Sequence, residues 1–371
     1  MIPAIEKDYF FDLADHVRNN GKIADFYEHM FFDGCYDPKA ARQDGFGFLN
    51  RSKSIDLCCK WWDLDYYRMQ GVKDIKRVNL CRDKFCYNCQ SLLALKRQNK
   101  FGPQLDTLYN DFTLGHVVFT VPNIPYFPVG GLKDLIKKMY RKFGYLMRYL
   151  SGTVKIAGVD FSQYGFQGCL RSLEVTIGHD DTFHPHFHCI FVMRKDLLLD
   201  RFITNQYSFS YGRLVRKFSE FEILLQKVWY LLMNDIPVSW SSFNECAVGY
   251  SVIFDVCPKG QYHEVFKYAC KGAFKDGSIY REDVFRELWY ALHGRRMIQG
   301  YGCLFNVEDD SNEIFETEVQ DEYDAMIHEL QYLEDPYFYV QSLQDLLDDN
   351  NCRYVSKQNI RRLVRQRMES E

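Results

Sequence analysis

Residues 171–193 constrain the fold most, because two strand-like apolar segments are separated there by a short turn-rich segment. Arg171–Ile177 and His186–Met193 have the composition of strands, and residues 178–182 between them contain the glycine and aspartates typical of turns. A connection this short joins antiparallel strands, since parallel strands need a long crossover. The segment therefore predicts a β-hairpin within an antiparallel sheet.

Further strands and helices are predicted on both sides of this hairpin. Strands are predicted within 54–69 and over 116–121 and 248–256, and helices over 133–150, 219–233 and 261–274. Strands and helices interleave along the chain. We therefore expect an α/β fold with an antiparallel sheet of about five strands, flanked by helices, with the histidine-bearing strand in the centre.

Two histidines of the second hairpin strand project from one face. Side chains alternate along a strand, so His186 and His188 share a face, and the position of the turn places Glu174 opposite both. A single histidine on a strand is usually structural, but two neutral imidazoles with a facing carboxylate suit a divalent ion. We predict a metal site at these three residues, with His184 as a support or an occasional ligand.

The predicted helix 261–274 carries a second group of reactive side chains. Glu264 and Tyr268 are four residues apart, as are Lys267 and Lys271, so an acid, a phenol and two ammonium groups share one helix face. Tyrosine, with a pKa of about 10, is a weak nucleophile, but it becomes useful against a metal-polarised phosphodiester when lysines favour the phenolate. Taken alone, the segment is also typical of an ordinary salt-bridged helix.

Cysteines are concentrated between residues 58 and 89. Cys81, Cys86 and Cys89 form a C-x4-C-x2-C run, and Cys58 and Cys59 lie upstream of it. Three thiolates at this spacing and a fourth from the upstream pair predict a closed tetrahedral zinc site, with buried free cysteines as the alternative. Cys58 is assigned as the fourth ligand, and Cys59 stays open as its alternative.

Charge is distributed unevenly along the chain. Residues 307–350 contain 15 Asp and Glu and no Lys or Arg, whereas the residues before them are mildly basic overall. Because unbroken like charge disfavours a compact state, the acidic block is expected to be a solvated linker or tail, or alternatively a mimic of DNA. The basic body suits a polyanionic partner, although net charge specifies partners only weakly.

The sequence shows no apolar run of membrane-spanning length and no basic segment followed by an apolar stretch near residue 1. The odd number of cysteines, 13, also argues against a disulfide framework. We therefore expect a cytoplasmic protein with reduced thiols and no membrane partner.

Three ordered segments resemble the motifs of HUH endonucleases, and specifically those of plasmid rolling-circle replication initiators with a single catalytic tyrosine. The segments are Phe119–Asn123, then Arg171–Thr176 with His184–His188, then Glu264–Tyr268. The resemblance covers roughly residues 54–306, including the cysteine segment 81–89 and the basic sequence 291–297. Tyr87 stands where this family usually has proline, and Gln90–Leu95 lacks a common arginine pair.

The resemblance implies a five-stranded antiparallel HUH sheet and an enzyme that nicks one DNA strand at a plasmid origin. Mg²⁺ or Mn²⁺ on His186, His188 and Glu174 would polarise the scissile phosphate. Tyr268 would attack it to form a 5′-phosphotyrosine, and Glu264 would act as general base for the terminating cleavage.

Further roles follow from the same resemblance. Lys267 and Lys271 would steady the phosphate or the phenolate, while Arg295 and Arg296 would bind DNA. The implied partners are single-stranded or hairpin origin DNA and the host helicase and polymerase. The resemblance does not cover residues 1–50 or the acidic tail. Together with the composition of the chain, it predicts four regions: a helical extension (1–50), a zinc-binding segment (51–100), an HUH nicking domain (101–306), and an acidic linker with a short basic C-terminal helix (307–371).

Two other functions remain open on the sequence. His184-x-His186-x-His188 also matches the histidine triad of nucleotide hydrolases and transferases, in which a histidine attacks phosphorus without a metal. A zinc-containing DNA-binding protein would use the basic body without forming a covalent adduct.

Overall fold

The structure is a computed structural model that describes residues 4–5, 7–34, 46–126, 130–178, 182–198, 206–210, 213–247, 249–266, 270–305 and 313–370. The chain divides into two compact units, of which the first comprises residues 1–93 and 310–371 and the second comprises residues 94–309. In chain order the helices are α1 Lys7–Phe32, α2 Phe48–Asp56, α3 Tyr87–Leu108, α4 Gly131–Leu150, α5 Glu220–Met233, α6 Trp240–Glu245, α7 His263–Phe266, α8 Lys271–Lys275, α9 Glu282–Leu292, α10 Glu313–Leu333, α11 Leu343–Asp348 and α12 Lys357–Ser370. The strands are β1 Trp61–Tyr67, β2 Val72–Val78, β3 Phe112–Thr120, β4 Ile124–Pro125, β5 Phe166–Ile177, β6 Thr182–Arg194, β7 Gln206–Ser210, β8 Arg213–Lys217, β9 Val252–Val256, β10 Ile298–Gly302, β11 Tyr337–Ser342 and β12 Arg353–Val355.

The second unit is built on an antiparallel sheet with the strand order β10-β5-β6-β3-β9, and the short strand β4 also pairs with β6. The histidine-bearing strand β6 is central in this order. A mixed α/β fold with an antiparallel sheet is therefore confirmed, and β5 and β6 form the predicted hairpin. The identity of the sheet as an HUH sheet stays a proposal.

An aromatic core lies between one face of this sheet and helices α4 and α5. Phe119 of β3 and Phe187 of β6 are fully buried and contact Phe143 of α4 edge-on, with ring centroids 5.5 Å and 5.2 Å away. Trp229 of α5 closes the cluster 5.6 Å from Phe119. Because Phe187 lies between His186 and His188 in the sequence, strand alternation sends the phenylalanine to this core and the two imidazoles to the opposite face.

The first unit contains a four-stranded sheet to which both ends of the chain contribute. Its order is β11-β1-β2-β12, in which β12 is parallel to β2 and the other pairs are antiparallel. Strands β1 and β2 precede the second unit in the chain, whereas β11 and β12 follow it. The second unit is therefore inserted into the first along the sequence.

The acidic block differs from the solvated linker that its charge led us to expect. Helix α10 buries Val319, Met326 and Leu330, which pack in one cluster with Ile360 and Val364 of α12. These apolar residues recur at helical spacing, and most acidic residues between them are exposed. Packing of this apolar stripe against α12 therefore outweighs the repulsion between the acidic side chains.

Two predicted elements have different bounds in the structure. The strand-like stretch 54–69 contains the end of α2 followed by β1, because Phe48, Ser52 and Ile55 form the buried face of a helix. In the predicted helix 261–274, the described parts are α7 and α8, and residues 267–269 lie outside the described residues. None of the described helices combines the length and apolar character needed to cross a bilayer.

Asp349 is expected to make the first unit sensitive to acid. Its Oδ2 accepts hydrogen bonds from Lys73 Nζ at 2.7 Å and from the Tyr354 hydroxyl at 3.0 Å. Burial raises the pKa of Asp349, but these contacts outweigh burial and hold the pKa well below its usual range. A carboxylate with a lowered folded-state pKa stabilises the fold above its unfolded pKa of about 4, and this contribution is lost as the pH falls.

We therefore expect Asp349→Asn to lower the free energy of unfolding by about 3 kcal/mol at pH 7, because it leaves the largely buried Lys73 without its anion. The variant should also lose less stability than the wild type below about pH 4. Urea unfolding at a series of pH values measures both effects. The control is Asp348→Asn, at an exposed position next to Asp349, which should change the free energy of unfolding by less than about 0.5 kcal/mol. If the free energies of unfolding of wild type and Asp349→Asn changed in parallel with pH, the role assigned to Asp349 would be contradicted.

Candidate active site and metal centres

Strands β5 and β6 bring the three predicted metal ligands together. Glu174 pairs with His186 across the hairpin, which is the predicted register. Oε2 of Glu174 lies 3.4 Å from Nε2 of His186 and 2.9 Å from Nε2 of His188. Each of the three residues exposes only 8% of its surface, and their ligand atoms all lie within 4.8 Å of one another. Two imidazoles and a carboxylate therefore converge on one point.

The hydrogen bonds of His186 favour a cation at this point. Its Nδ1 lies 3.1 Å from the carbonyl oxygen of His184, which can only accept a hydrogen bond. In the neutral ring Nδ1 therefore carries the proton, and Nε2 directs its lone pair toward Glu174. A lone pair and a carboxylate at this separation repel each other unless a proton or metal ion lies between them. The donor set thus fits a divalent ion, and His184 supports it through its backbone.

Glu174 carries its negative charge in spite of burial. Burial raises its pKa, but hydrogen bonds and charge interactions with His186 and His188 outweigh burial and hold the pKa well below its usual range. The pKa of His184 is lowered by burial and by the neighbouring His186. At neutral pH the site therefore presents an ionised carboxylate beside a neutral His184.

A further histidine beside this site was not singled out from the sequence. His116 of β3 has its Nε2 3.1 Å from Nδ1 of His188, and the two ring planes are parallel with centroids 5.3 Å apart, as a hydrogen bond between ring nitrogens requires. A metal-binding histidine usually donates its second ring N–H to an acceptor, which fixes the tautomer and the ring orientation. His116 is placed to be that acceptor for His188. The sequence places His116 at the start of a predicted strand. Only the pairing of β3 with β6 shows that this histidine lies next to His188.

The chain on both sides of residues 267–269 packs on the face of the sheet that carries the histidines. Val265 and Phe266 of α7 belong to one buried cluster with Leu170 and Ile190, which have the same strand parity as Glu174 and His188. Beyond the gap, a Cβ added to Gly272 of α8 would lie 3.2 Å from Cγ2 of Thr176 on that face. Lys267 and Tyr268, predicted as catalytic residues, lie outside the described residues.

The segment before α7 is held by a hydrogen bond between two buried or half-buried groups. The Tyr262 hydroxyl donates to Oδ1 of Asp106 in α3 at 2.6 Å, and the backbone N–H of Gly260 donates to the same oxygen at 3.2 Å. Burial and the neighbouring Asp106 raise the pKa of Tyr262 well above its usual value. Tyr262 is therefore a positioning phenol that remains neutral.

The other predicted catalytic and DNA-binding residues are half-buried or exposed. Glu264 of α7 is half-buried, with Oε1 3.1 Å from Nε2 of His263, and Lys271 at the start of α8 is exposed. Arg295 is half-buried and Arg296 exposed in the connection between α9 and β10. The carbonyl of Arg296 accepts a hydrogen bond from the Tyr140 hydroxyl at 2.9 Å, which ties this connection to α4.

Four cysteines form a compact group in the first unit. The Sγ atoms of Cys58, Cys81, Cys86 and Cys89 all lie within 4.8 Å of one another. Cys58 lies 3.6 Å from both Cys86 and Cys89, and Cys81 lies 3.6 Å from Cys89. A tetrahedron with Zn–S bonds of about 2.3 Å has S···S edges of about 3.8 Å, so the group fits one zinc ion. Cys59 lies outside this group, with its Sγ 3.8 Å from that of Cys58.

Surrounding donors stabilise the thiol group. Hydrogen bonds from Cys58, Cys81 and Cys86, together with one from the backbone N–H of Arg82 at 3.2 Å, hold the pKa of Cys89 well below its usual range, whereas the pKa values of the three other thiols are raised. Asp83 in the same loop accepts a hydrogen bond from the Tyr27 hydroxyl and pairs with Arg51, both at 2.9 Å. Asp83 thereby links the loop to Tyr27 of α1 and to Arg51 of α2.

Comparison with known proteins points to replication. Residues 72–207 match the sequence profile of a protein family described as replication protein. The matched range contains three of the four grouped cysteines and the whole β5–β6 hairpin with Glu174, His186 and His188. The match covers somewhat more than a third of the chain and makes that part similar to replication proteins. No curated protein and no solved structure was found to match the chain.

The thiol geometry predicts that Cys58, and not Cys59, completes a zinc site. Purified wild type should contain about one equivalent of zinc by elemental analysis. Cys58→Ser should lose the metal because only three thiolates remain, whereas the matched control Cys59→Ser should keep it. Retention of zinc by Cys58→Ser, or its loss from Cys59→Ser, would show that the group is assembled differently.

The contact between His116 and His188 predicts an effect on metal affinity without a change of ligand. His116→Phe should weaken Mn²⁺ binding by about 10- to 100-fold, since the N–H of His188 loses its acceptor. His116→Gln should recover most of the affinity, because its amide oxygen can accept the same hydrogen bond. Isothermal titration calorimetry on both variants, with matching thermal melts as a check of folding, measures this. Equal affinities for His116→Phe and wild type would remove the proposed role.

Proposed function

We propose that the protein is an HUH-type rolling-circle replication initiator with one catalytic tyrosine, which nicks one DNA strand at a plasmid origin. One observation carries this proposal: Glu174, His186 and His188 converge on the sheet face on which α7 and α8 pack. Tyr268 lies in the sequence between these two helices. The match to the replication protein family supports the same biological setting.

The metal centre would be formed by Glu174, His186 and His188, with His116 orienting His188. When bound there, Mg²⁺ or Mn²⁺ supplies polarisation of the scissile phosphate and offsets the charge that develops on its oxygens. The residues themselves offer one ionised carboxylate and two imidazole nitrogens as ligands, and all three side chains are buried. A separate zinc ion on Cys58, Cys81, Cys86 and Cys89 would be structural, because four thiolates leave no open position.

In the proposed reaction Tyr268 is the nucleophile. Its phenol oxygen forms a bond to phosphorus while the bond between phosphorus and the 3′ oxygen breaks, which gives a 5′-phosphotyrosine and a free 3′-hydroxyl. The phenol loses its proton and the departing 3′ oxygen takes one up, so charge and protons balance. Lys267 and Lys271 favour the phenolate or steady the phosphate.

Glu264 is proposed to end the replication cycle. It precedes Tyr268 by four residues in the sequence, and its half-buried carboxylate would take a proton from the water that attacks the DNA phosphodiester in the terminating cleavage. Arg295 and Arg296 would bind the DNA backbone. The proposed partners are single-stranded or hairpin origin DNA and the host helicase and polymerase, with the protein acting in the cytoplasm.

A covalent-adduct assay tests the nucleophile. Wild type incubated with Mn²⁺ and a labelled single-stranded origin oligonucleotide should give a protein–DNA band on a denaturing gel, and chelation of the metal should abolish it. Tyr268→Phe should form no adduct, because the attacking oxygen is absent. Glu264→Gln is the matched control from the same segment: it should form the adduct but turn it over more slowly. DNA binding by wild type without any adduct would support a binding protein instead.

A further inference from the structure

A run of large apolar side chains is exposed at one edge of the first unit. Its members, here called the aromatic edge, are Tyr332, Leu333, Tyr337, Phe338, Tyr339 and Val340. Phe338 exposes 70% of its surface and Tyr332 exposes 83%. Single exposed apolar residues are ordinary, but here four consecutive residues of β11 are exposed, and because side chains alternate along a strand, apolar side chains are exposed on both faces at this edge.

The backbone beneath the aromatic edge has unused hydrogen-bonding groups. Strand β11 is the terminal strand of its sheet and pairs with β1 on one side, where the N–H of Leu343 donates to the carbonyl of Lys60. In antiparallel pairing the residues that face the neighbouring strand alternate. Counting back from Leu343, the N–H and C=O groups of Phe338 and Val340 point away from β1. Within the described part of the chain, no strand pairs with this outer edge.

Pro336 directly precedes β11, but the six residues of the strand itself contain no device that blocks strand addition. Proteins commonly protect an exposed edge with a lysine, a proline, a bulge or a very short strand. Tyr337–Ser342 is six residues long, contains no charged residue and no proline, and pairs with β1 in an unbroken register. An extended peptide could therefore add to this edge through main-chain hydrogen bonds.

The charge around the aromatic edge selects among the molecules that could bind there. Asp63 and Asp65 of β1 lie on the same sheet face as Val340 and Phe338, but Arg77 of β2 lies opposite Asp63 and Lys76 pairs with Asp65, so these two carboxylates are balanced by neighbouring cations. Glu334 and Asp335 directly precede the strand, within a block that contains no Lys or Arg. DNA would bring phosphates to this surface and a second copy would bring the same carboxylates, whereas a basic segment is complementary.

We propose that the outer edge of β11 binds an extended, Lys- or Arg-bearing segment of a partner protein as an additional strand. The backbone N–H and C=O groups of Phe338 and Val340 would form hydrogen bonds with the added strand, and the aromatic edge would provide apolar contacts. The carboxylates of Glu334 and Asp335 would favour a basic partner. The surface is in the first unit and is independent of the proposed nuclease chemistry.

A model peptide tests this surface. A labelled peptide of alternating Lys and Val is titrated into the full-length protein and followed by fluorescence anisotropy, with an alternating Glu and Val peptide as the charge control. We expect binding of the Lys peptide that weakens with salt, and much weaker binding of the Glu peptide.

Two variants examine the mode of binding. Val340→Pro removes an outward-facing N–H while leaving the bonds to β1 in place, and should weaken binding of the Lys peptide about fivefold, the effect of one hydrogen bond. Val340→Ile keeps the N–H and should bind like wild type. Thermal melts check that both variants fold, and a Val340→Pro variant that fails to fold is replaced by Asp335→Asn, which should also weaken binding of the Lys peptide.

Several outcomes would overturn the proposal. No binding of the Lys peptide at millimolar concentration, equal binding of both peptides, or no effect of a folded Val340→Pro variant each excludes a basic added strand. Concentration-dependent dimerisation that this variant abolishes would assign the edge to a second copy. Displacement of the peptide by oligothymidylate would assign it to single-stranded DNA.

Discussion

The register between β5 and β6 is the constraint on which the candidate metal centre depends. A slip by one residue would turn His186 and His188 toward the aromatic core and would bring Phe187 to the face that now carries the site. Burial of a phenylalanine contributes about 1.5–3 kcal/mol, so the packing of Phe187 against Phe143 and Trp229 opposes such a slip. The aromatic core on one face of the sheet thereby fixes the positions of the polar groups on the other.

Contacts between residues that are close in the sequence could be predicted, whereas contacts between distant segments could not. The pairing of Glu174 with His186 followed from a short turn, because the turn position alone sets the partner residues. The contact between His116 and His188 could not be predicted in this way, since it requires the order of strands that are distant in the sequence. Likewise, the spacing of Cys81, Cys86 and Cys89 indicated a thiol site, but only the backbone path decides which upstream cysteine joins it. The charge of residues 307–350 led to an incorrect expectation of a solvated segment, because the apolar stripe of α10 outweighs the repulsion between its acidic residues.

The two groups of metal-ligating residues differ in the chemistry that they suit. The four thiols enclose a point that is surrounded by sulfur and by backbone N–H donors, which is an environment for a permanently bound soft ion. The two imidazoles and one carboxylate provide three ligands from adjacent strands and leave coordination positions for water or a phosphate oxygen. The first arrangement would stabilise the loop between β2 and α3, and the second would leave room for an exchangeable ligand. Sulfur donors are thus typical of a structural metal site, and the combination of nitrogen and oxygen donors is typical of a catalytic one.

The insertion of the second unit within the first has a consequence for how the molecule is made. Strands β1 and β2 leave the ribosome long before β11 and β12, and at ordinary rates of synthesis the delay is on the order of tens of seconds. During that interval the sheet lacks two of its four strands, although all four grouped cysteines have already been made. Zinc captured at this stage would hold the early segment in shape until the last residues arrive, so metal supply during translation would govern the yield of folded protein.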